Sequence, residues 1–146
     1  GKKGQRNKGD QLFKNLSIEV QKKNPTFRVY GANYKTKDGT CIRDYIHVSD
    51  ISDIHYKVLL KIDKYNTSTV LNCGYGKGIS VNDVIKKFKK YANKNLKIVK
   101  FPNRKGDMVK VISDNSKLKK FLKWRPKFNN LSKIVNSCIN WEKEIK

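Results

Sequence analysis

The chain has 146 residues, enough for one domain with a modest core, and carries a formal charge of +22 from 34 basic and 12 acidic side chains. Its longest apolar runs fall far short of the roughly 20 residues of a membrane-spanning helix, and it shows no signal peptide, so a soluble cytoplasmic protein without a membrane partner is expected. Only five of the basic residues are Arg (Arg6, Arg28, Arg43, Arg104 and Arg125), and lysines occupy nearly every polar helical position, which reads as solvated faces and no specific nucleic-acid surface.

Residues 1–9, rich in Gly, Lys and Asn, read as loop. Leu12, Phe13, Leu16 and Val20 then recur at helical spacing, which predicts a helix from Asp10, its cap, to about Lys23, stopped by Pro25. Residues 27–30 read as a short strand closed by Gly31, and Asp38-Gly39 as a turn. From Ile42 to Val48 polar and apolar residues alternate, with one break at Asp44-Tyr45, so a second strand is expected. Ser49 or Asp50 would cap a helix reaching residue 63, whose single apolar face holds Ile51, Ile54, His55, Val58, Leu59 and Ile62.

Residues 69–73 form an apolar run of strand type, followed by Gly74-Tyr75-Gly76-Lys77-Gly78. A glycine-rich turn between strand and helix suggests a dinucleotide fingerprint. The third glycine is misplaced, however, and no acidic residue ends a strand about twenty residues later, so the glycines are assigned to tight backbone geometry. Ser80 caps the next helix, over 80–92, with Asp83 three residues on and Val81, Val84, Ile85 and Phe88 as its inner face. A strand at 96–101, a loop at 102–107 and a strand at 109–112 follow. Ser113 or Asp114 would cap a short helix ending at Leu122, Trp124-Arg125-Pro126 breaks it, and Leu131, Ile134, Val135, Cys138, Ile139 and Glu142 mark a last helix. Alternating short strands and helices give an α/β class, read as one domain over residues 1–146.

Chemistry is harder to place. His47 in a strand pattern and His55 on an apolar helix face both read as structural residues. No nucleophilic triad or metal-ligand spacing stands out, so neither a catalytic nor a metal-binding residue is assigned. Cys41, Cys73 and Cys138 sit among apolar neighbours and read as buried thiols in a reducing compartment. Two Arg-bearing loops remain. Arg43 follows a glycine turn, and Arg104-Lys105-Gly106-Asp107 follows a strand; an Arg fork suits phosphate oxygens and a nearby Asp accepts from sugar hydroxyls.

Residues 38–50, DGTCIRDYIHVSD, resemble the DGTxxRDYIHVxD segment of the UDP-glucose 4-epimerases, members of the extended short-chain dehydrogenase/reductases. The similarity runs in register through most of the chain. Gly31-Ala32-Asn33-Tyr34 resembles the family's FGxDY run, residues 71–81 its NLGxGxGxSV, Arg104 to Asp107 its R-x-G-D loop, residues 114–117 its D-x-S-K, and Trp124 to Pro126 its W-x-P turn. The resemblance implies that Arg43 and Arg104 contact the pyrophosphate of UDP-glucose or UDP-galactose and that Asp107 holds the uridine ribose. Arg28, Val29 and Tyr30 would line the uracil pocket, and Gln11 with Leu12 would open a helix on the substrate side.

One departure is Val111, where the family commonly has a nucleotide-touching Tyr. A larger one is that none of the seven tyrosines has Lys four residues on, so the family's Tyr-x-x-x-Lys pair is missing. The resemblance therefore implies the carboxyl-terminal, UDP-sugar-binding part of an epimerase: a small mixed sheet with helices, without the amino-terminal Rossmann half that binds NAD. No cofactor-binding residue is assigned, and a homodimer is expected only of the intact enzyme. A start at Gly1, with Met108 as the sole methionine, also suggests a fragment or processed chain.

Overall fold

Three amphipathic helices build the main core, and each is dictated by its apolar spacing. In the computed structural model, which describes residues 11–64 and 68–145, these are α1 (Leu12–Glu19), α3 (Val81–Ala92) and α5 (Leu131–Glu144). Leu16 of α1, Val84, Ile85 and Phe88 of α3, and Val135 and Ile139 of α5 pack together with Val29 and Leu96. Ser80 caps α3 as expected, its hydroxyl accepting from the Asp83 N–H at 3.0 Å. The expected cap of α1, Asp10, lies outside the described residues; Gln11 stands at that position and makes no side-chain capping bond. Across the core Lys14 of α1 forms an ion pair with Glu142 of α5, both nearly excluded from solvent.

The strands form two small sheets. β1 (Thr26–Tyr30) pairs in parallel with β4 (Lys97–Phe101), with Tyr30 opposite Phe101. β2 (Ile42–Arg43) lies between β3 (Ile79–Ser80), antiparallel to it, and β5 (Lys110–Val111), parallel to it.

Two strand expectations need correction. The strand expected through Val48 ends at Arg43, because Asp44 turns its carboxylate onto the N–H groups of Tyr75 (3.1 Å), Gly76 (2.9 Å) and Ser113 (3.3 Å). Side-chain acceptors replace a ladder there. The run at 69–73 is irregular, with Val70 81% exposed, since no neighbouring strand among the described residues pairs with it.

The second helix also differs from its expectation. α2 runs Val48–Leu59, followed by a 3-10 turn at Ile62–Lys64. Its cap is His47, whose Nδ1 accepts from the Ser49 N–H at 3.1 Å. Ile54 is buried against Tyr75, Leu118, Leu122, Trp124 and Ile134 in a second core cluster. His55, Tyr56 and Leu59, expected or placed along the same helix, face outward, with Leu59 63% exposed. The helix thus buries one side and leaves an apolar stripe on another. α4 (Ser116–Leu122) begins after Asn115, not after Ser113 or Asp114, although Asp114 still accepts from the Ser116 N–H.

The buried environment around α2's start carries a pH signature. Asp50, fully enclosed, accepts from the Tyr75 hydroxyl at 2.6 Å and from the Lys127 and Phe128 N–H groups at 2.9 Å each. His47 stacks on Phe128 at 4.5 Å and its Nε2 donates to the Ser137 hydroxyl at 3.1 Å. Burial lowers the His47 pKa below its ordinary value, against an opposing pull from Asp50. The folded chain therefore excludes a proton that the unfolded chain takes up below about pH 6.5. Stability is full above that pH and declines as pH falls through it toward the folded pKa. The unfolding midpoint should be lower at pH 5.5 than at 7.5, and His47→Asn, which keeps a capping acceptor, should flatten the difference. A midpoint insensitive to pH across this window in the native sequence would refute the assignment.

The three cysteines are thiols, Cys41 buried and Cys73 and Cys138 half-buried. Among the described residues no helix is long and apolar enough to cross a membrane.

Candidate nucleotide-sugar site

A cavity of about 680 Å³ opens where β1, the start of β2, α1 and the loop after β4 meet. Its walls include Leu12, Arg28, Val29, Tyr30, Arg43, Arg104 and Asp107, so seven of the eight residues singled out in the sequence share one space. Gln11 is not among its walls; it stands exposed just before α1. The size falls within the range of about 300–1,000 Å³ usual for small-molecule sites.

The polar wall is organised by Arg43. Its Nη1 donates to the carbonyls of Met108 (2.7 Å) and Ile42 (3.0 Å), and its Nη2 donates to Asp107 Oδ1 at 3.4 Å. One guanidinium thereby ties β2 to the loop that brings Asp107. The turn of that loop is closed by the Asp107 N–H on the Arg104 carbonyl at 3.2 Å. Parallel pairing of β1 with β4 sets Tyr30 beside Phe101, ring centres 5.3 Å apart. Arg104 lies over the Tyr30 ring at 4.1 Å, and Arg28 over Phe101 at 5.4 Å. The result is a pair of rings inclined at 39°, each with a guanidinium over it, beside a cationic corner, a setting suited to a base joined to an anionic group.

Residue reasoning passed over several other walls. Tyr45 lies next to Arg43; burial pushes its hydroxyl up to about 12, so it stays a neutral donor, and its ring meets Phe13 edge-on at 4.9 Å. Cys41 and Val81 also face the cavity. Tyr45 was legible as the Tyr of the RDY triplet, but its place in an apparent strand hid its role. Val111, at the departure from the family pattern, sits on β5 outside the cavity walls.

The glycine turn at 74–78 offers no dinucleotide cradle. The N–H groups of Tyr75 and Gly76 are taken by Asp44, and a side chain at position 74 would collide with the Asp44 carboxylate and with Ser113. Gly76 adopts a left-handed backbone, φ +70°, which closes the turn. That turn therefore does not fit the pyrophosphate of NAD.

No protein-family model matches the chain. A UDP-glucose 4-epimerase of Azospirillum brasilense is 36% identical over 121 residues, which is 83% of this chain and 35% of that protein. UDP-arabinose 4-epimerase 1 of Arabidopsis thaliana is 41% identical over 119 residues, 82% of this chain and 28% of that protein. Among solved structures, the UDP-Glc/GlcNAc 4-epimerase of Campylobacter jejuni superimposes with a TM-score of 0.82 at 42% identity, covering 97% of this chain and 43% of that one. Over most of its length the chain is similar to a part of UDP-sugar 4-epimerases.

A further UDP-glucose 4-epimerase, from Stenotrophomonas maltophila, was solved with NAD and formylated UDP-arabinopyranose; it superimposes with a TM-score of 0.89 at 26% identity, covering 98% of this chain and 42% of that one. NAD is thus the cofactor of the epimerase family. The present chain spans about a third of the curated relatives it matches, with 35% and 28% of their lengths covered in the two named above.

Proposed function

We propose that this chain is the uridine-diphosphate-holding part of a cytoplasmic UDP-sugar 4-epimerase that interconverts UDP-glucose and UDP-galactose through a 4-keto intermediate. One observation carries the reading: Arg43, Arg104 and Asp107 line a single cavity together with Tyr30, whose ring packs on Phe101. In it Arg43 and Arg104 grip the diphosphate, Asp107 accepts from the ribose hydroxyls, and the backbone at Arg28, Val29 and Tyr30 borders the uracil. Holding the non-reacting nucleotide positions the sugar for chemistry elsewhere. The net charge of +22 draws an anionic ligand toward the cavity.

The acid/base pair and the NAD site would come from polypeptide outside these residues. The missing Tyr-x-x-x-Lys supports this division, as does the exposed stripe of Val48, Tyr56 and Leu59 on α2, an apolar surface that a larger protein would cover. The same absence favours a second reading, in which the chain binds UDP-sugars without converting them. UDP-arabinose epimerases among the relatives leave room for another UDP-sugar.

Two measurements test these readings. Calorimetric titration should show saturable 1:1 binding of UDP, with uridine far weaker; failure of UDP to bind would end the proposal. A coupled turnover assay with UDP-galactose and added NAD should give no product from the 146 residues alone. Measurable turnover would eliminate the binding-only reading.

A further inference from the structure

We infer that Asp107 acts as a selectivity latch, holding the Arg43 fork so that the site rejects bare phosphate anions and accepts only those that bring a ribose. The inference rests on the reading of the cavity as a uridine-diphosphate site. Both terminal nitrogens of Arg43 already donate within the protein: Nη1 to the Met108 and Ile42 carbonyls, Nη2 to Asp107 Oδ1. The carbonyl contacts, at 2.7 and 3.0 Å, are of ordinary length and fix the guanidinium in place.

The Asp107 contact differs in kind. At 3.4 Å it is longer than the roughly 2.7–2.9 Å of a tight charge-assisted bond, and its two side chains are 26% and 35% exposed at the cavity mouth. It is the one partner of the guanidinium that a ligand can displace without unmaking β2 or the loop. Asp107 occupies only one of the two Nη2 hydrogens, so a phosphate can still reach the fork beside it, but while the carboxylate stays there the phosphate meets a second negative charge at close range. Inorganic diphosphate gives the evicted carboxylate nothing in return. A nucleoside diphosphate supplies vicinal hydroxyls, two donors that satisfy the carboxylate once it releases Arg43. One side chain therefore opposes the wrong ligand and rewards the right one, the pattern expected of specificity built from a repulsive element.

The test compares inorganic diphosphate and UDP on the chain and on Asp107→Asn, by calorimetry in magnesium-free buffer at fixed ionic strength. Removing the latch should tighten inorganic diphosphate about threefold or more and weaken UDP several-fold, so the preference for UDP collapses by roughly tenfold or more. Asp83→Asn, which makes the same charge change on α3 outside the cavity, is the control. Unchanged or weaker diphosphate binding in Asp107→Asn overturns the latch, as does an equal gain in the control. Those results leave UDP binding by the native chain intact, so the site assignment survives them. A native chain that binds no UDP removes both.

Discussion

Arg43→Ala is expected to weaken UDP binding by about 1.5–3 kcal/mol, more than tenfold in affinity. Two effects add. The diphosphate loses charge-assisted hydrogen bonds, each worth more than a neutral one inside a partly enclosed cavity. The loop carrying Asp107 loses a tie as well, since the Arg43 guanidinium bonds to the Ile42 and Met108 carbonyls and to Asp107. Arg43→Lys should recover little, because an ammonium cannot bridge two carbonyls and a phosphate in one plane. Folding should survive both changes, because Arg43 is partly exposed and lies outside both core clusters. Calorimetry with UDP on the three proteins settles the point: an unchanged affinity in the alanine variant would remove Arg43 from the site.

Glu142→Ala should destabilise the chain by about 3–5 kcal/mol, the usual result of leaving one member of a buried ion pair behind. Lys14 of α1 and Glu142 of α5 are 8% and 5% exposed, on the two helices that also supply Leu16, Val135 and Ile139 to the core. The Lys14 ammonium there keeps its desolvation cost and loses the Glu142 carboxylate. Against a total stability of about 5–15 kcal/mol for a domain, such a change is severe. Replacing both residues together, Lys14→Met with Glu142→Leu, should restore most of the loss, because methionine and leucine fit an apolar neighbourhood. Urea unfolding of the single and double variants measures this; a cost under about 1 kcal/mol for Glu142→Ala would mean the pair is solvated. The consequence reaches the site, since α1 also carries Leu12 of the cavity wall.

The comparison between sequence and structure is sharpest at Asp44, Leu59 and Arg43. Alternation made Asp44 look like one misplaced residue in a strand, whereas its carboxylate ends that strand by binding three N–H groups from distant segments. Periodicity placed Leu59 inward with Ile54, and spacing alone cannot say how much of a helix's circumference its neighbours cover. Arg43 stood out as a candidate phosphate ligand by residue type and by family pattern, and it lines the cavity. Its engagement with Asp107 was not, because the partners are 64 positions apart.

Local rules sufficed for what is local. Apolar spacing set the three core helices, Ser80 set a helix start, Gly76 a turn, and the DGTCIRDYIHVSD run pointed to the family. Assembly of the cavity, the early end of β2 and the burial of the Lys14–Glu142 pair all arise from contacts between segments far apart along the chain. Such contacts are governed by which surfaces close-pack and which buried polar groups find partners, and neither quantity is written in the neighbours of a single residue.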